Sequence, residues 1–142
     1  MEKYEIVQTF FYAQGLSYTE RKHADGHKYL SCTFKMKNGP DFTVFIDIKD
    51  DETDVLVFDF LDLSEEEDIA PFYKMVCNQN RNFRFANIFV DEDDSLSVCY
   101  SFRTPNTVSD EDFVNLVWDN VMSVCRACDS IYMSYMKVKF SS

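Results

Sequence analysis

Between residues 17 and 62 the chain offers four runs of strand-like alternation, and the stretches joining them are too short for anything but hairpin turns. "SYTERKH" (17–23) reaches "KYLSCTFKMK" (28–37) through Asp25-Gly26, and Leu30, Cys32, Phe34 and Met36 fall on one side of the second run. Asn38-Gly39-Pro40 turns the chain into "FTVFIDIK" (42–49). There Phe42, Val44, Ile46 and Ile48 alternate with Thr43, Asp47 and Lys49, and Phe45 breaks the pattern. "KDDET" then leads into "DVLVFDFLD" (54–62). Parallel neighbours need crossovers of a dozen or more residues, so strands joined this tightly are antiparallel. Their period of two gives the sheet one wet face and one buried face.

The flanking segments change period. Tyr4, Val7, Phe10 and Phe11 recur at helical spacing over residues 3–14, and Gly15 stands where a helix ends in a left-handed residue. In "LSEEEDIAPFYKMVCNQNRN" either Ser64 caps a helix whose first turn holds Glu65 to Asp68, or Pro71 moves the true start to about residue 70. "RFANIFVD" (84–91) and "SLSVCYSFR" (95–103) make another strand pair, with Leu96, Val98, Tyr100 and Phe102 on one side. Ser109-Asp110-Glu111-Asp112 then opens a long amphipathic helix through Phe113, Leu116, Val117, Val121, Val124 and Cys128. Run to Met136, that helix would be about 40 Å long against a domain span of about 37 Å, so it either stops near Asp129-Ser130 or projects. The apolar tail, with Met133, Tyr135, Met136, Val138 and Phe140, needs a cover. The order α-β-β-β-β-α-β-β-α predicts an α+β fold, a mainly antiparallel sheet with helices packed on one face. The 142 residues (1–142) are expected to form one domain.

Charge narrows the partners. The chain holds 25 Asp and Glu against 14 Lys and Arg, a net charge of −11, and residues 41–70 alone hold twelve acids and one lysine. A field of that sign repels phosphates and anionic lipid, so neither nucleic acid nor a membrane surface is an expected partner. The start "MEKYEIVQTFFYAQG" lacks the basic end of a signal peptide, and no apolar run reaches 18 residues, which leads to an expectation of a cytoplasmic protein. Five cysteines (32, 77, 99, 125 and 128) in apolar surroundings read as reduced thiols that fill core space.

Three constellations invite chemistry. "VDEDDSLSVCYSF" (90–102) starts like a calcium loop at Asp91, with Asp93 and Ser95 in register. The sixth position is Leu96 where glycine belongs, and the twelfth is Phe102 where a bidentate glutamate belongs, so a hairpin turn is expected. "DIKDDETD" (47–54) fails likewise, with Lys49 in third place. Cys125 and Cys128 have redox or zinc spacing but lie some sixteen residues into their helix, away from the positive end that activates a thiol. A zinc site would need His23 and His27, the two histidines of the chain. Acid pairs such as Asp59 and Asp62 have no nucleophile beside them, and no phosphate-cradling glycine loop exists. The expectation is a non-enzymatic protein without catalytic, cofactor-binding or metal residues and with no cofactor. Trp118 and Phe45 are candidate partner anchors, weighed against ordinary burial in the core.

The run from "NGPDFTVFIDIKDDETDVLVF" through "VCNQNRNFRFANIFVDEDDSLSVCYSFRTP" to "VSDEDFVNLVWDNVMSVCRACDSIYMSY" resembles the YbjN family, known as bacterial sensory transduction regulators. The resemblance covers about residues 3–136. It rests on Asn78 and Asn80 at a helix end, the Phe83-x-Phe85 strand, an acidic turn, an alternating strand and a Ser/Asp-capped helix. It implies a type III secretion chaperone-like fold, commonly dimeric, that binds protein instead of turning over a substrate. No site residue carries over. The function expected is a chaperone- or adaptor-like interaction module for a protein or peptide partner, a basic one given the acidity, assembled as a homodimer. The alternative is a regulator that holds a small molecule between sheet and helices.

Overall fold

The computed structural model describes residues 2–37, 39–83 and 86–141. Its elements are α1 (Lys3–Ala13), β1 (Thr19–Lys22), β2 (Lys28–Phe34), β3 (Phe42–Ile48), β4 (Glu52–Asp62), α2 (Ala70–Asn82), β5 (Asn87–Val90), β6 (Ser95–Arg103) and α3 (Asp110–Lys139). The strands form one six-stranded sheet in the order β1-β2-β3-β4-β6-β5, every neighbouring pair antiparallel. This is the α+β order read from the sequence.

Register explains how the sheet acquires two faces. Leu30 pairs with Ile46, Ile46 with Val55 and Val55 with Tyr100, one apolar row facing the helices. The neighbouring row, Ser31, Phe45, Leu56, Cys99 and Asn87, points to the other side, because successive side chains alternate. α3 lies across β4 and β6, and α1 and α2 flank it, α2 also reaching β5. Phe113, Val117, Val121, Val124, Ala127, Cys128 and Ile131 of α3 are buried against the sheet and the other helices. Trp118, half-buried, meets Phe10 and Phe11 edge-on, each at 6.1 Å between ring centroids, and so serves the α1–α3 seam.

α3 starts where predicted, with Ser109 Oγ accepting the Asp112 N–H at 3.1 Å and three acids in the first turn. It does not stop near Asp129-Ser130. The helix runs to Lys139, and α2 covers its last turns: Gln79, itself buried, donates to Ser134 Oγ at 2.6 Å and accepts from Ser130 Oγ at 3.1 Å, and Phe72 packs on Tyr135. Of the apolar tail, Met133 and Phe140 stay exposed. α2 begins at Ala70 with Pro71 in its first turn, where a missing N–H costs nothing, so Ser64 is not its cap and Glu65 to Asp68 precede it. Gly15 (φ 71°) and Gly26 (φ 88°) take the left-handed conformations that their turns require. The turn at Asn38 and the strand reading of Arg84 and Phe85 lie outside the described residues; β5 is shorter than the run 84–91. Among the cysteines Cys32 and Cys128 are buried, Cys99 and Cys125 half-buried, and Cys77 exposed on α2, contrary to its expected core role.

Both sheet edges are guarded. β1 presents Glu20, Arg21 and Lys22, charges that discourage a further strand. On β5 the Asn80 side chain accepts the Ile88 N–H at 2.8 Å and donates to the Ile88 carbonyl at 2.9 Å, occupying the main-chain groups that an added strand would use.

Candidate functional site

The face of the sheet turned from the helices holds the residues with unexplained surface chemistry. Rings cross it diagonally. Tyr29 on β2 lies 6.1 Å from Phe45 on β3, and Phe45 lies 5.9 Å from Phe58 on β4. Phe58 is 51% exposed, an unusual cost for a phenylalanine inside a strand. Arg21 crosses from β1 over the Phe45 ring at 5.7 Å, its Nε donating to Ser31 Oγ at 3.0 Å. A shallow hollow of about 400 Å³ between Asp41, Thr43, Phe45, Phe58 and Asp59 borders these rings. Phe89 on β5 is exposed as well. Phe45, the residue that broke the alternation of its strand, is therefore on the open face.

Acids ring this stripe. A bulge between Val57 and Leu61 shifts the β4–β6 register and sets Asp59 at φ 51°, a left-handed conformation costly for a residue with a Cβ. Its N–H donates to Ser97 Oγ at 3.1 Å, and the Ser97 hydroxyl donates to Asp91 Oδ2 at 2.8 Å. Asp59, Asp91 and Asp93 thereby bring carboxylate oxygens within 4.8 Å of one another. The stretch read as a hairpin turn is one: the Asp91 N–H donates to the Ser95 carbonyl, the Ser95 N–H to Asp93 Oδ1, and Asp94 has φ 61°. What the sequence concealed is the third acid, delivered by the bulge. Nearer β3, Asp54 accepts from Ser101 Oγ at 2.6 Å and Lys49 Nζ at 2.9 Å. Burial pushes its carboxyl up, but these two hydrogen bonds outweigh that and hold it below its ordinary value.

The histidines and cysteines, weighed together as zinc ligands, are separated by the sheet. Cys125 and Cys128 sit among the helices. Burial, helped by Asp129, pushes the Cys125 thiol up to about 12; burial alone pushes Cys32 up to about 11, and burial with Cys125 and Asp129 nearby pushes Cys128 higher still. Thiols so disfavoured as thiolates are poor nucleophiles and poor ligands. His23 and His27 lie on the open face instead, and both turn Nε2 toward Asp47, at 3.1 Å to Oδ2 and 2.9 Å to Oδ1. No sequence motif links Asp47 to them; it arrives through strand register.

Two larger hollows flank this cluster. One, of about 950 Å³, lies between the start of α1 (Lys3, Tyr4, Gln8) and the strand ends at His27, Ile48 and Asp50. Its back is drawn together by Lys3 Nζ, which donates to the Asp50 carbonyl at 3.0 Å and to Thr104 Oγ1 at 3.2 Å. The other, of about 770 Å³, is lined by His23, Asp25, His27, Asp47, Lys49 and Asp50. Among the described residues no helix is long and apolar enough to cross a membrane.

An antiparallel sheet with helices on one side and aromatic and acidic groups on the other defines an α+β domain with an uncovered platform. Residues 3–130 match the family model described as "YbjN: Putative bacterial sensory transduction regulator". The chain belongs to the YbjN family. Among solved structures it is similar to one titled "Crystal structure of YbjN, a putative transcription regulator from E. coli", with a TM-score of 0.63, 15% identity and coverage of 91% of this chain and 90% of that one. At that identity the likeness concerns the fold. No curated protein matches the chain in sequence.

Proposed function

We propose that this chain is a non-enzymatic regulatory module that binds a basic segment of a partner protein on the open face of its sheet. The observation that carries the reading is the Tyr29–Phe45–Phe58 stripe, set among Asp47, Asp54 and Asp59 on a face that no helix covers. Partly exposed aromatics make efficient anchors, and acids around them favour basic partners and reject acidic ones. The guarded edges favour docking on the face over addition of a strand, and the family's description as a regulator fits a role in binding. A fluorescence-anisotropy titration with labelled Lys/Arg-rich peptides bearing aliphatic anchors tests it. Binding should weaken with salt and fall about tenfold or more in Phe58→Ser, a loss of about 1.4 kcal/mol or more, with helical and strand content unchanged by circular dichroism. Failure of a random basic-peptide display library to yield any binder at low salt would overturn the reading.

The hollow of about 950 Å³ at the start of α1 supports a second reading, a sensor that holds a small polar molecule between helix and sheet. A metabolite that raises the melting temperature of the native chain but not of a Gln8→Leu variant would favour it.

A further inference from the structure

His23 and His27 are neighbours across a hairpin. The β1–β2 ladder ends at Lys22 opposite Lys28, so these two follow as the next cross-strand pair, closed by the His23 N–H donating to the His27 carbonyl at 2.8 Å. The Gly26 N–H to the His23 carbonyl and the His27 N–H to Asp25 Oδ1 fix the turn between them. Alternation then puts both imidazoles on the face that carries Arg21 and Tyr29. Asp47 emerges on that face from β3, its side chain only 13% exposed, beneath two rings that are 45% and 38% exposed. The rings are nearly parallel, 15° apart, with centroids 5.6 Å from each other, and His23 also stacks on Tyr29 at 4.4 Å.

We propose that His23, Asp47 and His27 form a binding site for a borderline divalent transition-metal ion such as zinc. Two imidazole nitrogens and one carboxylate are the donor set that such ions prefer, whereas calcium and magnesium prefer oxygen alone. Each Nε2 stands at hydrogen-bonding distance, 3.1 and 2.9 Å, from its own oxygen of Asp47, and the three residues do not bring one donor each within 4.8 Å of one another as they stand, so the ion is held only once the imidazoles turn toward it. Each ring now faces a different carboxylate oxygen, so an ion shared by all three draws the rings together. Their solvent-facing edges leave room for that turn. Among the described residues Lys49 is the cation lining the hollow, and its ammonium is engaged by Asp54 at 2.9 Å, while Asp25 and Asp50 add negative potential. The hollow is open enough to leave the remaining coordination positions to water.

Isothermal titration of the full reduced chain with zinc chloride tests this. One ion per chain should bind, with His23→Ala and His27→Ala each weakening it about tenfold or more. A large excess of calcium should leave binding unchanged, and so should Cys77→Ser. Cobalt(II) in place of zinc should give weak visible bands without a sulfur-to-cobalt charge-transfer band. Circular dichroism of the alanine variants separates lost binding from lost folding, and Asp47→Asn, which keeps the shape of the side chain, should weaken binding as well. Absence of uptake, uptake unaltered in both histidine variants, or a sulfur charge-transfer band would each overturn the site.

Discussion

On the covered face, the row Leu30, Ile46, Val55 and Tyr100 is turned toward the helices; one residue along each strand, the row Ser31, Phe45, Leu56 and Cys99 is turned away from them, with Phe45, Leu56 and Cys99 half-exposed. The first row is held by close packing, and its neighbours Val44, Val57, Leu96 and Val98 are almost fully buried. The second is held by side-chain pairs: Thr33 with Thr43, Ser101 with Asp54, Arg21 with Ser31 and Phe45. A substitution on the first should therefore cost stability, and one on the second should cost recognition and little else. The same strands thus separate folding from binding by parity of position.

The sharpest way to break this contrast is from below. Phe113, 1% exposed at the base of α3, should cost about 3–5 kcal/mol when replaced by alanine, as read from urea unfolding, because it leaves a cavity that the rigid sheet cannot close. A cost under about 1 kcal/mol would show that the covered face is loosely packed. At the sheet edge, Asn80→Ala should cost about 1 kcal/mol and speed hydrogen exchange at the Ile88 amide. Its chief mark should be concentration-dependent self-association seen by light scattering, since β5 then offers free main-chain groups. The smallest effect is expected on the open face, at Asp54. Its folded carboxyl is held below the ordinary value, so its contribution is present at neutral pH and is lost as pH falls below about 4 and through the lowered folded value. Asp54→Asn should be less stable than the parent at pH 7, and the gap should narrow as pH falls below about 4 and through the lowered folded value, a trend visible in paired melting curves.

Much of the fold was legible because its signals are local. Alternation in residues 42–49, the Ser109 cap and the short turns require only neighbouring residues, and they set the element order and the antiparallel sheet. What escaped depends on contacts distant in sequence. The extent of α3 is decided by α2, through Gln79 and Phe72, and not by its own composition. The start of α2 was open between Ser64 and Pro71, since acids after a serine imitate a helix start whether or not one follows. On the candidate site, Phe45 had announced itself by breaking its strand's pattern. Phe58 and Asp59 had not, because the bulge that exposes them is a slip of register against β6. Asp47 joins His23 and His27 only once β3 is laid beside β2.

The seating of α1 on α3 through Phe10, Phe11 and Trp118 has a consequence in time. Phe11 meets Tyr18 close by in the chain, but the seat of the first helix on Trp118 waits for a segment about a hundred residues later. Closure of so distant a contact slows folding.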